Sequence, residues 1–197
     1  AFPLDPRASR PEPLGCRRSN CRHILRRLFP ELCVKILSSV LSLLALACLG
    51  NSAAPQLTGE GAPVLFIGNS HTYVNDLPGI LRALADSAGG EKLATMSLAN
   101  ANYALIDHWN DGLAKQEIEK RQWRYVVMQQ GWTPGGVCQE TLRLAIQLFS
   151  ESIRRQGGTP AVLEVWAPAS RPGQFAGTIE SYRLAAQDVS GLLFPAA

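Results

Sequence analysis

From residue 63 onward the chain alternates short apolar runs with helix-like stripes. Residues 64–68, Val-Leu-Phe-Ile-Gly, form an uninterrupted apolar run, the pattern of a strand buried on both faces. Asp76 then stands as a cap before a stripe in which Leu77, Ile80, Leu81, Leu84 and Ala88 share one face. Gly89-Gly90 closes that helix, and its apolar face is expected to be buried. Residues 93–98 read as a second strand. From 104 to 120 Leu105, Trp109 and Leu113 recur every fourth residue, while Asp111/Lys115 and Glu117/Arg121 can pair on the wet face, which predicts a single second helix. Residues 124–129 give a third strand and 139–156 a third helix, with Leu142, Ala145, Ile146, Phe149 and Ile153 inward and Gly157-Gly158 as its stop. Residues 160–166, 178–189 and Leu192-Leu193-Phe194 complete the series as strand, helix and the start of a last strand.

Four strand–helix pairs in succession imply a parallel sheet with helices on both faces and right-handed crossovers. In such sheets the reactive crevice lies at the carboxyl ends of the strands, beside the topological switch point. The first strand runs into Gly68-Asn69-Ser70, the second ends near Asn100-Ala101-Asn102, and the third at Gln129-Gln130-Gly131. Those three ends are the predicted site.

Charge changes the picture at the other end of the chain. The net +3 conceals a division: residues 1–35 hold eight Lys/Arg against three Asp/Glu, a net of +5, and the remainder has 11 basic and 13 acidic residues, a net of −2. The slightly acidic remainder offers no nucleic-acid surface. The basic head leads into an uncharged apolar run, residues 36–49, too short to span a bilayer comfortably, which takes about 20 residues. Basic region, apolar region and Ala45-Leu46-Ala47 together have the layout of an export signal. Cys48 directly after that triplet leaves simple cleavage and lipidation both open. Arg26-Arg27-Leu28-Phe29 is a poor twin-arginine signal, since Pro30-Glu31 interrupts it. The expected organisation is a head and export signal over 1–50, a polar spacer over 51–62 and one domain over 63–197, placed outside the cytoplasm: periplasmic, extracellular or lipid-anchored. A membrane is expected to be met only through the signal or lipid anchor. At 46% hydrophobic and 18% charged residues, the chain has the composition of a globular core. Its five cysteines show no metal-ligand spacing, and neither a metal nor an organic cofactor is expected.

A strand that delivers a serine onto a tight turn before a helix is a place where backbone N–H groups can support an oxyanion. The phrase Phe66-Ile67-Gly68-Asn69-Ser70-His71-Thr72 resembles the first sequence block of the SGNH (GDSL-type) hydrolases, with Asn69 in place of the commoner Asp. Leu105-Ile106-Asp107-His108-Trp109, Tyr125-Val126-Val127-Met128-Gln129 and Val165-Trp166-Ala167-Pro168 follow in the order of a bacterial subgroup of that superfamily. The resemblance spans residues 63–197 and implies a three-layer α/β/α, flavodoxin-like fold. It also implies an esterase that removes small acyl groups, acetyl groups on carbohydrates among them, through an acyl-serine intermediate. Ser70 becomes the nucleophile. Its own backbone N–H, a backbone N–H at Asn102 or Ala101, and a side-chain amide at Gln129, with Gln130 next in line, become the oxyanion hole. The family's base lies in a late D-x-x-H block, and none of His23, His71 and His108 stands in such a phrase. The domain is therefore expected to be C-terminally incomplete and this chain poorly active, with His71 a turn or core group and His108 a packing partner of Trp109. The rival expectation is a non-catalytic carbohydrate-binding or interaction domain on the same fold, with Trp109, Trp132 and Trp166 as stacking groups. A nucleotide-binding module fits less well, because the turn lacks a P-loop lysine and dinucleotide-site glycines.

Overall fold

The computed structural model describes residues 55–196. The expected head and export signal and the first four residues of the spacer lie outside them. Five strands form one wholly parallel sheet: β1 (Ala62–Gly68), β2 (Leu93–Ala99), β3 (Tyr125–Met128), β4 (Thr159–Leu163) and β5 (Leu192–Phe194), in the order β2-β1-β3-β4-β5. That order is flavodoxin-like, and its switch point lies between β1 and β3. The chain leaves β1 for the strand on one side and later returns to the strand on the other, so the carboxyl ends of β1 and β3 border an open crevice.

Strand alternation divides the core in two. Leu65, Ile67, Val126, Met128 and Val162 point to one face and join Leu105, Ile118, Phe149, Ile153 and Tyr182 in the larger cluster. Its helices are α3 (Leu105–Asp111), α4 (Leu113–Lys120), α5 (Gly136–Arg155) and α6 (Phe175–Asp188). Val64, Phe66, Val127 and Ala161 point to the opposite face, where Leu77 of α2 (Leu77–Ser87) packs against them. The molecule is thus the expected three-layer α/β/α arrangement. A short helix, α1 (Ser70–Tyr73), intervenes between β1 and α2.

Three expectations are corrected. The stripe on α2 is amphipathic, yet Pro78 is its buried residue, while Ile80 and Leu84 are 48% and 61% exposed. The segment 104–120 is two helices because Gly112 takes a left-handed φ of 77° and breaks the run. Asp111 then caps the second piece through Leu113 N (3.0 Å), Lys120 pairs with Glu117, and Lys115 and Arg121 lie over the rings of Trp109 and Trp123. Within the spacer, Thr58 exchanges two backbone hydrogen bonds of 2.8 Å with Thr95 at the edge of β2.

Candidate active site

Parallel register brings the three strand ends level. Gly68 lies beside Ala99 and Ile67 beside Met128, so the residues that follow each strand emerge at one rim. Asn69 leaves β1 in extended conformation and caps α1, its side-chain oxygen accepting from His71 N at 3.2 Å. Ser70 is therefore the first residue of a helix, where no carbonyl one turn back claims its backbone N–H. Its hydroxyl has no hydrogen-bond partner among the described residues. A cavity of about 320 Å³ opens at this point, lined by Asn69, Ser70 and His71 from the first strand end, Asn102, Tyr103 and Ala104 from the second, and Gln130 to Thr133 with Cys138 from the third.

Ser70 and Asn102 accordingly share one cavity. Asn102 has φ of 62°, the left-handed region that favours glycine and, after it, asparagine. Asn102 is exposed there.

Gln129 does not line the cavity. It is 2% exposed, and its amide is fully used: Nε2 donates to Asn69 Oδ1 (3.0 Å) and to the Gln130 carbonyl (3.2 Å), while Oε1 accepts from Asn69 N (2.9 Å) and the Thr72 hydroxyl (3.3 Å). A primary amide has two N–H bonds, and both are taken. In this geometry Gln129 locks the turn that presents Ser70 rather than donating to an oxyanion. The cavity wall is formed by Gln130. Its Oε1 accepts from Leu105 N (3.1 Å), and Nε2 gives one proton to the Thr133 hydroxyl (3.2 Å), leaving the other uncommitted. Tyr182 fixes the backbone behind it, donating to the Gln130 carbonyl at 2.7 Å and accepting from Gln130 N at 3.2 Å. Burial pushes the Tyr182 hydroxyl far above the ordinary tyrosine range, so it stays a donor.

The two described histidines part company. His108 is buried, and its Nε2–H donates to the Gly68 carbonyl at 2.7 Å, with Tyr103 rather than Trp109 against its ring (4.9 Å). It braces the end of β1 from below. His71 is exposed on the cavity wall, its ring edge-on to Trp166 at 6.0 Å, so it is not a core group. Trp109 is the core tryptophan, packed edge-on to Phe149 at 5.2 Å, whereas Trp132 and Trp166 are exposed. Cys138 is free and borders the cavity. Glu164, buried just past β4, is a charged residue that sequence pattern did not single out. Among the described residues no group of three or more His, Cys, Asp or Glu side chains assembles as a metal site.

No family model matches the chain, and no curated protein is a significant relative. Solved structures do match. A protein assigned to the SGNH hydrolases, from Slackia heliotrinireducens, superposes with a TM-score of 0.57 at 21% identity, over 68% of this chain and 78% of that one. The psychrotrophic esterase EstA from Pseudoalteromonas sp., in a structure inhibited by monoethylphosphonate, gives 0.54 at 12% identity over 67% and 75%. A variant of an acetyl-xylooligosaccharide esterase from Geobacillus gives 0.50 at 12% over 70% and 77%. The fold is that of the SGNH hydrolases.

Proposed function

On that fold, we propose that the chain is an exported serine hydrolase that cleaves small acyl esters, with acetyl esters of carbohydrates as its substrate class. The observation that carries the reading is Ser70 itself: an unpartnered hydroxyl at the first residue of a helix, in a cavity at the switch point of the sheet. Ser70 Oγ attacks the ester carbonyl and the alcohol departs, leaving an acyl-serine that water then hydrolyses. The oxyanion is held by the backbone N–H of Ser70, a backbone N–H of the Asn102 turn, and the uncommitted Gln130 amide proton. Gln129, Asn69 and His108 position that machinery without touching the substrate.

A serine hydroxyl needs a base to be a competent nucleophile. His108 is committed to Gly68, the His71 ring packs against Trp166, and no D-x-x-H phrase exists in the 197 residues, so turnover by this chain alone is expected to be low. Added imidazole supplies a mobile base, which makes the reading testable. Millimolar imidazole should raise hydrolysis of 4-nitrophenyl acetate above the rate of a Ser70→Ala control, and a serine-directed phosphonate should add its mass to the Ser70 peptide. Equal imidazole response in both proteins, with no phosphonate on that peptide, would make Ser70 a turn residue. The exposed Trp132 and Trp166 would then favour the rival, a carbohydrate-binding domain without catalysis.

A further inference from the structure

Trp132 follows Gln130 and Gly131 off the end of β3 and is 42% exposed, yet its ring is held at two points. Its indole N–H donates to Gln174 Oε1 at 2.9 Å, and the Arg171 guanidinium lies over the ring, 5.8 Å from its centre. Both restraints come from the short segment that leads through a 3-10 turn (Pro172–Gln174) into α6. Trp132 lines the Ser70 cavity and Arg171 is not among the residues that do, which leaves part of the ring surface to the cavity. With its N–H already engaged, that surface offers a ligand only a rigid π face. A ring fixed in advance loses little conformational entropy when something stacks on it.

The remainder of the wall narrows the ligand. Its side chains include no Asp, Glu, Lys or Arg, but Asn102 and Gln130 bring amide groups and Ser70 a hydroxyl. A flat aromatic face beside neutral hydrogen-bonding groups suits an uncharged ring with C–H bonds on its face and hydroxyls at its edge. Beyond His71, Trp166 presents a second aromatic surface, 50% exposed. We infer that Trp132 is the stacking platform for an uncharged sugar ring whose acyl group reaches Ser70, and that Trp166 meets a neighbouring ring of the same oligosaccharide. The ester part rests on the hydrolase reading; the stacking does not.

The test is therefore a binding experiment on the Ser70→Ala protein, which cannot turn over an ester. Isothermal titration with xylotriose and cellotriose should show saturable binding to at least one. Adding Trp132→Ala should weaken it by about tenfold or more, the scale of one lost aromatic contact of about 1.4 kcal/mol. Trp132→Phe, which keeps a ring, should retain most of the affinity, and far-UV circular dichroism confirms that each variant is folded. Absence of binding to both sugars, or affinity indifferent to Trp132→Ala in a folded protein, overturns the inference. Failure of the hydrolase reading looks different: sugar binding would persist while Ser70-dependent turnover is missing.

Discussion

Two adjacent glutamines end in opposite situations, and the reason is what each meets. Gln129 faces the Ser70 turn and exchanges hydrogen bonds with both the backbone and the side chain of Asn69. Gln130 is drawn the other way by Tyr182, which reaches it from 52 residues downstream, and by Leu105 N at the start of α3. Their removal should therefore have different consequences. Gln129→Ala leaves the buried Asn69 N–H without its partner and the Asn69 side-chain oxygen with His71 N alone, and a loss of about 1–3 kcal/mol in urea unfolding is expected. Gln130→Ala should instead reduce imidazole-assisted turnover by about 10²–10³, the usual cost of one oxyanion donor. The decisive comparison is turnover per folded molecule. A Gln130→Ala protein with undiminished turnover would return the donor role to Gln129. That an amide stands at the third strand end was legible in the sequence. Which of the two faces the cavity was not, because it is decided by contacts with Asn69 and Tyr182, remote in sequence.

At the scale of elements, strands and turns were easier to read than helix faces. The apolar run ending at Gly68 gave β1 its place because a central parallel strand has no wet side to encode. Periodicity marked α2 as amphipathic, but periodicity cannot say whether the apolar stripe is covered, and Leu84 is largely exposed. Gly112 escaped notice since an isolated glycine in a helical pattern can be tolerated, at a cost of about 1 kcal/mol against alanine. Gly68 is the element junction on which the site depends. A methyl group there would fall on Gln129 Oε1 and the Thr72 hydroxyl, and the Gly68 carbonyl already holds His108 Nε2 and Asn100 N. Gly68→Ala must displace the Gln129 amide or move the strand end. Overpacking of a close-packed site costs about 1–3 kcal/mol, and the loss of Ser70 phosphonate labelling should exceed what that instability explains. A Gly68→Ala protein that unfolds and labels like its parent would show that the Gln129 lock is dispensable to the nucleophile.

For the whole molecule the informative quantity is how charge is distributed. A chain with a pI near 8.7 carries its positive excess in the first 35 residues, +5 against −2 in the remainder. Net charge speaks to solubility and surface association rather than to fold, and a basic head before an apolar run is the pattern that an export machinery reads. The proposed site makes no demand on that head, since every residue of the cavity wall lies between 69 and 138. If the head is a signal, the protein that carries the site is an acidic one. Expressed in a bacterium, the chain should lose residues 1–47, and isoelectric focusing should move its band from the basic side of neutrality to the acidic side. Intact-mass analysis should place Cys48 at the new N-terminus, and added acyl mass on Cys48 distinguishes a lipid anchor from simple cleavage. A soluble cytoplasmic product that remains basic and keeps residues 1–47 would remove the case for export. It would leave the cavity, Ser70 and their tests untouched.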